Sequence, residues 1–239
     1  MSNKANRNQR RGGDKHVSKV VRGEQQIMAD RKIKEKFVEE RKNNPLVPMN
    51  DLQREYMRLI GDKDIKCILC CGYAGSSKTY IPTVIACDLY RTGKIKKIIL
   101  VRPAISDSKS MGFFGGDLVD KCKNWLAPIL DILNDRIGSA AVDIAIKAGD
   151  IVCIPLEVIK GRSFQDAFIL VDESQDLTIK EFQKVVTRQG KNSKLIFAGD
   201  LRQIDLKSTS GLKWGIEMAH KYPELNVGIV DFDRPSDIV

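Results

Sequence analysis

Ile65-Lys66-Cys67-Ile68-Leu69-Cys70-Cys71 runs directly into Gly72-Tyr73-Ala74-Gly75-Ser76-Ser77-Lys78-Thr79, and a helical stretch, Tyr80–Tyr90, follows. The short apolar run reads as a buried strand and the small residues after it as a loop. A strand, a small-residue loop closing on Lys-Thr and a helix together make a Walker A loop. Small residues let backbone N–H groups wrap a β-phosphate at the helix N-terminus, where the helix dipole favours an anion. Lys78 brings positive charge to the β/γ oxygens, and Thr79 offers a hydroxyl to a Mg²⁺ shared with the phosphates. The glycine usual before the lysine is Ser77 here. A left-handed backbone at that position costs a non-glycine residue about 1–2 kcal/mol.

Working outward, further apolar runs at Lys97–Val101, Ile151–Ile154, Ala167–Val171, Lys194–Ala198 and Val227–Val230 alternate with longer amphipathic stretches. Near-continuous apolar strands separated by helices predict an α/β fold with a mainly parallel sheet covered on both faces. Ligands of such sheets lie beyond the carboxyl ends of the strands, so the segments after each run belong to one crevice. A helix is predicted from Asp51 to about residue 60, ahead of the first strand.

The run ending Phe168-Ile169-Leu170-Val171-Asp172-Glu173-Ser174-Gln175 has the Walker B form. Asp172 is placed to hold Mg²⁺, and Glu173 to orient and deprotonate an attacking water. Acidic residues also suit helix N-caps, but Thr178-Ile179-Lys180-Glu181 supplies its own capping box, which frees the Asp-Glu pair for chemistry. The next run ends in Gly199-Asp200-Leu201-Arg202-Gln203, where the Gln203 amide can sense a γ-phosphate or the attacking water. Gln53, upstream of the first strand, can pair with N6 and N7 of an adenine edge; its other reading is an exposed helix residue.

The 239 residues carry a net charge of +9, unevenly spread. Residues 1–44 hold 13 Lys and Arg against 6 Asp and Glu, while the remainder is nearly neutral. Residues 1–49 therefore read as a basic, partly disordered arm with one exposed helix over 24–42, and residues 50–239 as the folded domain. Such an arm suits contacts with a nucleic-acid backbone, or simply keeps the chain soluble. Cys67 and Cys70 form a Cys-x-x-Cys within a strand, with neither histidine nearby, so buried thiols are expected rather than a zinc site. No run approaches the roughly 18 apolar residues of a membrane helix, and the polar N-terminus does not resemble a secretory signal. A cytoplasmic protein is expected.

Together the motifs resemble the PhoH family, P-loop ATPases related to the first RecA-like domain of superfamily 1 helicases. The resemblance runs from Asn50 to the C-terminus. It rests on Gly72–Thr79, Val101-Arg102-Pro103-Ala104, Met111-Gly112-Phe113-Phe114-Gly115-Gly116-Asp117-Leu118 and Gly161-Arg162-Ser163-Phe164-Gln165-Asp166-Ala167-Phe168. Asp172-Glu173-Ser174-Gln175, Thr187-Arg188-Gln189-Gly190, Gly199–Leu206 and Ser210-Gly211-Leu212 follow in order. It implies a RecA-like fold, ATP with Mg²⁺, Gln53 as the adenine reader and activity linked to RNA or single-stranded nucleic acid. Short PhoH-like proteins occur in bacteriophages, and this compact form resembles them, which would place it in a host cytoplasm. The family generally keeps a glycine where Ser77 stands, and no fused nuclease domain is visible, so a ribonuclease is not expected.

Superfamily 1 helicases complete their site with arginines from a second RecA-like domain. One domain alone would instead take an arginine from a neighbouring subunit, and a hexameric ring is expected. The candidate donors are Arg234, then Arg188 and Arg162. Nucleic acid would lie near Arg102, with Phe113 and Phe114 either stacking on bases or packing their loop. Two rivals are a small-molecule kinase, for which no Arg-rich lid is evident, and a non-catalytic or very slow ATP-dependent RNA-binding regulator.

Overall fold

Side chains along each central strand divide alternately between two hydrophobic clusters, so the sheet is covered on both faces. Cys70, Ile98, Leu100, Phe168, Leu170, Ile196 and Ala198 pack into one cluster. Their strand neighbours Leu69, Cys71, Ile99, Val101, Ile169, Leu195 and Phe197 pack into the other. Successive side chains of a strand point to opposite faces, so both sets must be apolar in a doubly covered sheet. Burying one such Leu, Ile or Phe contributes about 1.5–3 kcal/mol.

The computed structural model describes residues 45–103 and 126–234, all within one compact unit, Asn43–Val239. The predicted arm helix and the string from Met111 to Leu118, including Phe113 and Phe114, lie outside the described residues. The elements in chain order are α1 (Asp51–Gly61), β1 (Cys67–Gly72), α2 (Tyr80–Arg91), β2 (Lys97–Arg102), α3 (Ala127–Ile137), α4 (Ser139–Ala148), β3 (Ile151–Pro155), β4 (Ala167–Val171), α5 (Ile179–Val186), β5 (Lys194–Gly199), α6 (Gly211–Lys221) and β6 (Gly228–Phe232). The sheet order is β3-β2-β4-β5-β1-β6, and every pairing between these strands is parallel. The α/β fold read from the sequence is the one observed, and each predicted strand appears with its ends shifted by at most two residues.

Helices α1 to α4 cover one face, and α5 and α6 the other. Arg136 of α3 holds Asp88 of α2 through two hydrogen bonds, at 3.0 and 2.8 Å, which fixes α3 beside the loop after β1. On the other face the Phe182 ring of α5 stacks on Phe197 of β5 at 4.3 Å. The capping box at Thr178 forms as predicted: its Oγ1 accepts from the Glu181 backbone, and the Glu181 carboxylate accepts from the Thr178 N–H. Topology adds what the order of motifs did not reveal. Strand β5 lies between β1 and β4, so the turn after Gly199 sits between the loop Gly72–Thr79 and the Asp172-Glu173 pair.

Candidate functional site

The loop Gly72–Thr79 leaves β1 under steric constraint. A Cβ on Gly72 would lie 2.5 Å from Phe232 Cβ, so only glycine lets β1 and β6 run side by side here. Five residues on, Ser77 has φ 66°, the left-handed conformation in which a non-glycine residue is strained. The departure from the motif therefore leaves the loop geometry in place and adds strain to it. Lys78 Nζ donates to the Tyr73 carbonyl at 3.1 Å, folding the ammonium back over the loop. Tyr56, buried on α1, donates to the Lys78 carbonyl at 3.0 Å and fixes that residue's backbone.

Thr79 is the N-cap of α2 but makes no capping bond; its hydroxyl donates instead to Asp172 Oδ1 at 2.9 Å. In the first turn of α2 the Ile81 N–H donates to the Ser77 carbonyl at 3.0 Å and the Thr83 N–H to the Thr79 carbonyl at 3.3 Å, and Pro82 has no N–H. Arg102, at the end of β2, donates to Glu173 Oε1 at 3.2 Å and lies 3.8 Å from Asp172 Oδ2. Burial, reinforced by the charge of Glu173, raises the pKa of Asp172 above the usual carboxylate value; Arg102 and the Thr79 hydroxyl oppose the shift. Glu173 itself has φ 51°. Two strained non-glycine residues, one from each motif, face the same cavity. Its volume is about 520 Å³, and Gly75, Ser77, Lys78, Thr79, Arg102, Asp172 and Glu173 line it, with Pro128, Ile129 and Ile132 of α3 as an apolar wall.

The first strand's motif, the fourth strand's carboxylates and Arg102 therefore meet in one place. Gly72, Tyr73, Ala74 and Ser76 form the rest of the loop, and the Ser76 hydroxyl is buried without a partner among the described residues. A hydroxyl and a carboxylate side by side suit a hard divalent cation such as Mg²⁺. No group of three or more His, Cys, Asp or Glu side chains among the described residues could hold a metal. Nucleotide oxygens and water would complete the shell.

The remaining sequence candidates fall elsewhere. Gln53 is only 2% exposed; its Oε1 accepts from the Met49 N–H at 2.8 Å, and its Nε2 has no partner among the described residues. Gln53 lies one helical turn from Tyr56 on α1 and does not line the cavity. Gln203 is exposed, with its N–H donating to the Asp200 carbonyl, and it does not line the cavity. Arg102, read as a nucleic-acid contact, lies in the cavity wall. Arg234 follows β6 on the carboxyl edge with a 71% exposed side chain. Arg162 and Arg188 meet at the opposite edge of the sheet, where Arg188 Nη1 donates to the Arg162 carbonyl at 3.2 Å. Cys67 and Cys70 are free thiols pushed up to about 12 by burial.

A family model described as PhoH-like protein matches residues 45–239. The chain belongs to the PhoH-like family. It is 38% identical to a PhoH-like protein of Bacillus subtilis over 70% of this chain and 51% of that protein. It is 29% identical to Protein PhoH of Escherichia coli over 81% of this chain and 55% of that protein. The chain thus spans about half the length of the curated relatives it matches. Among solved structures it resembles the HK97 bacteriophage large terminase, with a TM-score of 0.48 and 11% identity over 85% of this chain and 44% of that one.

One member of the site was not assigned from sequence. Gln175 stands in the quoted Walker B string, but nothing in its spacing signals that its amide binds both Glu173 and the Asp200 backbone. Only the adjacency of β4 and β5 brings these groups together.

Proposed function

We propose that this PhoH-like chain binds and hydrolyses ATP with Mg²⁺ in the cytoplasm, and couples turnover to RNA or single-stranded nucleic acid as a ring. The observation that carries the reading is the convergence of Lys78, Thr79, Asp172 and Glu173 on one cavity.

Lys78 exchanges its hydrogen bond to the Tyr73 carbonyl for the β/γ oxygens of the nucleotide, a short swing because the ammonium already lies over the loop. Thr79 and Asp172 are the residues that would hold Mg²⁺, which when bound neutralises charge on the phosphates. Glu173 orients the attacking water and takes its proton. Gln53 offers the orphaned Nε2 to the adenine edge. Arg162 and Arg188 stand at the edge of the sheet away from their own Lys78, a position suited to reaching a neighbour's phosphates in a head-to-tail ring. Arg234 stands on the same edge as its own loop, which favours the other two as donors.

One observation favours a second reading. Both Glu173 oxygens are engaged, Oε1 by Arg102 and Oε2 by Gln175, as suits a nucleotide-dependent RNA-binding regulator that turns over very slowly. ATP turnover with and without RNA, on protein whose mass in solution is measured, separates the two. Hydrolysis that RNA stimulates and Glu173→Gln abolishes supports the ATPase; equal slow rates in parent and variant leave only the binder.

A further inference from the structure

Gln175 is 2% exposed, and both ends of its amide are committed. Nε2 donates to Glu173 Oε2 at 2.9 Å and, at 3.4 Å, to Asp176 Oδ2. Oε1 accepts from the backbone N–H of Asp200 at 3.1 Å. The amide fits because residue 199 is glycine: a Cβ there would lie 2.7 Å from Gln175 Oε1 and 2.8 Å from its backbone nitrogen. Beyond that contact the Asp200 carboxylate accepts from the N–H and Nε of Arg202, at 3.0 and 3.2 Å. The Arg202 guanidinium in turn lies over the ring of Tyr73, 3.2 Å from its centroid, in the loop after β1.

A carboxylate only accepts and a backbone N–H only donates, so a side chain bridging the two must donate at one end and accept at the other. At this length glutamine does so at any pH, whereas a glutamic acid would do so only when protonated. Glu173 has a flexible side chain on a strained, left-handed backbone, whereas a general base must hold its oxygen within hydrogen-bond reach of one water. We infer that Gln175 is the positioning residue of Glu173, anchored on the main chain of the turn after β5 and tied through Arg202 to the loop that carries Tyr73. This rests on the ATPase reading above. Loss of the bridge slows the chemical step and spares nucleotide binding.

The test compares Gln175→Glu, which keeps the shape and the acceptor for Asp200, with Gln175→Leu and Glu173→Gln. Steady-state ATP turnover, affinity for a fluorescent ADP analogue and thermal melting are measured on each full-length protein. Both Gln175 variants should lower kcat about 10- to 100-fold, the loss expected for one hydrogen bond to a charged group. Their KM and ADP-analogue affinity should stay within about threefold of the parent, as for an interaction used only in the transition state. A Gln175→Leu protein with parental melting, affinity and kcat overturns the inference, and so does a kcat loss matched by a loss of affinity and melting temperature. If Glu173→Gln is dead while both Gln175 variants keep the parental kcat, only the positioning role falls. If the parent hydrolyses no ATP, the ATPase reading falls and the positioning role with it.

Discussion

The Thr79 hydroxyl donates to Asp172 Oδ1 at 2.9 Å across 93 positions of sequence, so the loop after β1 and the carboxylates after β4 are joined directly. The bond also marks where a cation would enter between them. Asp172 is buried beside the like charge of Glu173, an arrangement that disfavours its ionised form.

Asp172→Asn should make the nucleotide-free protein more stable at neutral pH and abolish Mg²⁺-dependent nucleotide binding. A carboxyl with a raised folded pKa binds its proton more tightly folded than unfolded, so stability falls as pH rises from about 4 through the folded value. The variant should lack that decline. Each kcal/mol recovered raises Tm by about 2–4 °C in a chain of this size. Thermal melting between acid and neutral pH, paired with titration calorimetry of Mg-nucleotide, reads both effects; an unchanged or lower Tm at pH 7 refutes the strain on Asp172.

Ser77→Gly should relieve the left-handed strain at φ 66° and stabilise the protein by about 1 kcal/mol, with nucleotide affinity preserved. Ser77→Ala should bring no such gain, because alanine carries the same Cβ. Urea unfolding of the two variants beside the parent decides it, and equal midpoints for glycine and alanine would rule out backbone strain as the cause.

Lys194 is half-buried, and its ammonium donates to the carbonyls of Leu59 in the last turn of α1 and of Asp62 and Ile65 in the connection to β1. Lys194→Met leaves those acceptors short of a donor and should cost about 1–3 kcal/mol without touching the cavity. Burial, with Lys66 nearby, lowers the Lys194 pKa to about 8. Between that value and the usual lysine value near 10.5 the unfolded chain binds more protons, so the parent gains stability as pH rises through this window. Denaturant melts at pH 7.5 and 10 should show the gain in the parent and not in the variant.

Mixing subunits tests the ring. Arg188→Ala and Glu173→Gln proteins, each inactive alone, should regain ATPase activity when co-assembled, since some interfaces then pair an intact arginine with an intact base. The same holds for Arg162→Ala if Arg162 is the donor. Mixtures that stay at the level of the separate variants would show that neither arginine acts across subunits.

The sequence alone determined the fold class and marked the two halves of the candidate site. Short apolar runs alternating with longer amphipathic stretches fit strands buried on both faces, and Gly72–Thr79 and Asp172-Glu173 are each contiguous in sequence. The sequence also raised the question at Ser77; the observed left-handed backbone answers it, because loop geometry follows from closure between β1 and α2 rather than from residue preference.

Tertiary structure decided which distant groups complete the site. Gln203, the amide singled out from the sequence, lies exposed in the turn after β5, while the Gln175 amide reaches Glu173 and the Asp200 backbone. Arg102 sits on the Walker B carboxylates, because β2 neighbours β4 in the sheet. Strand order is set by non-local packing of crossover connections, which leaves no mark in local composition. The loop Gly72–Thr79 that decides the fold is readable residue by residue; the partners that make it a candidate ATPase site come from strands adjacent in space.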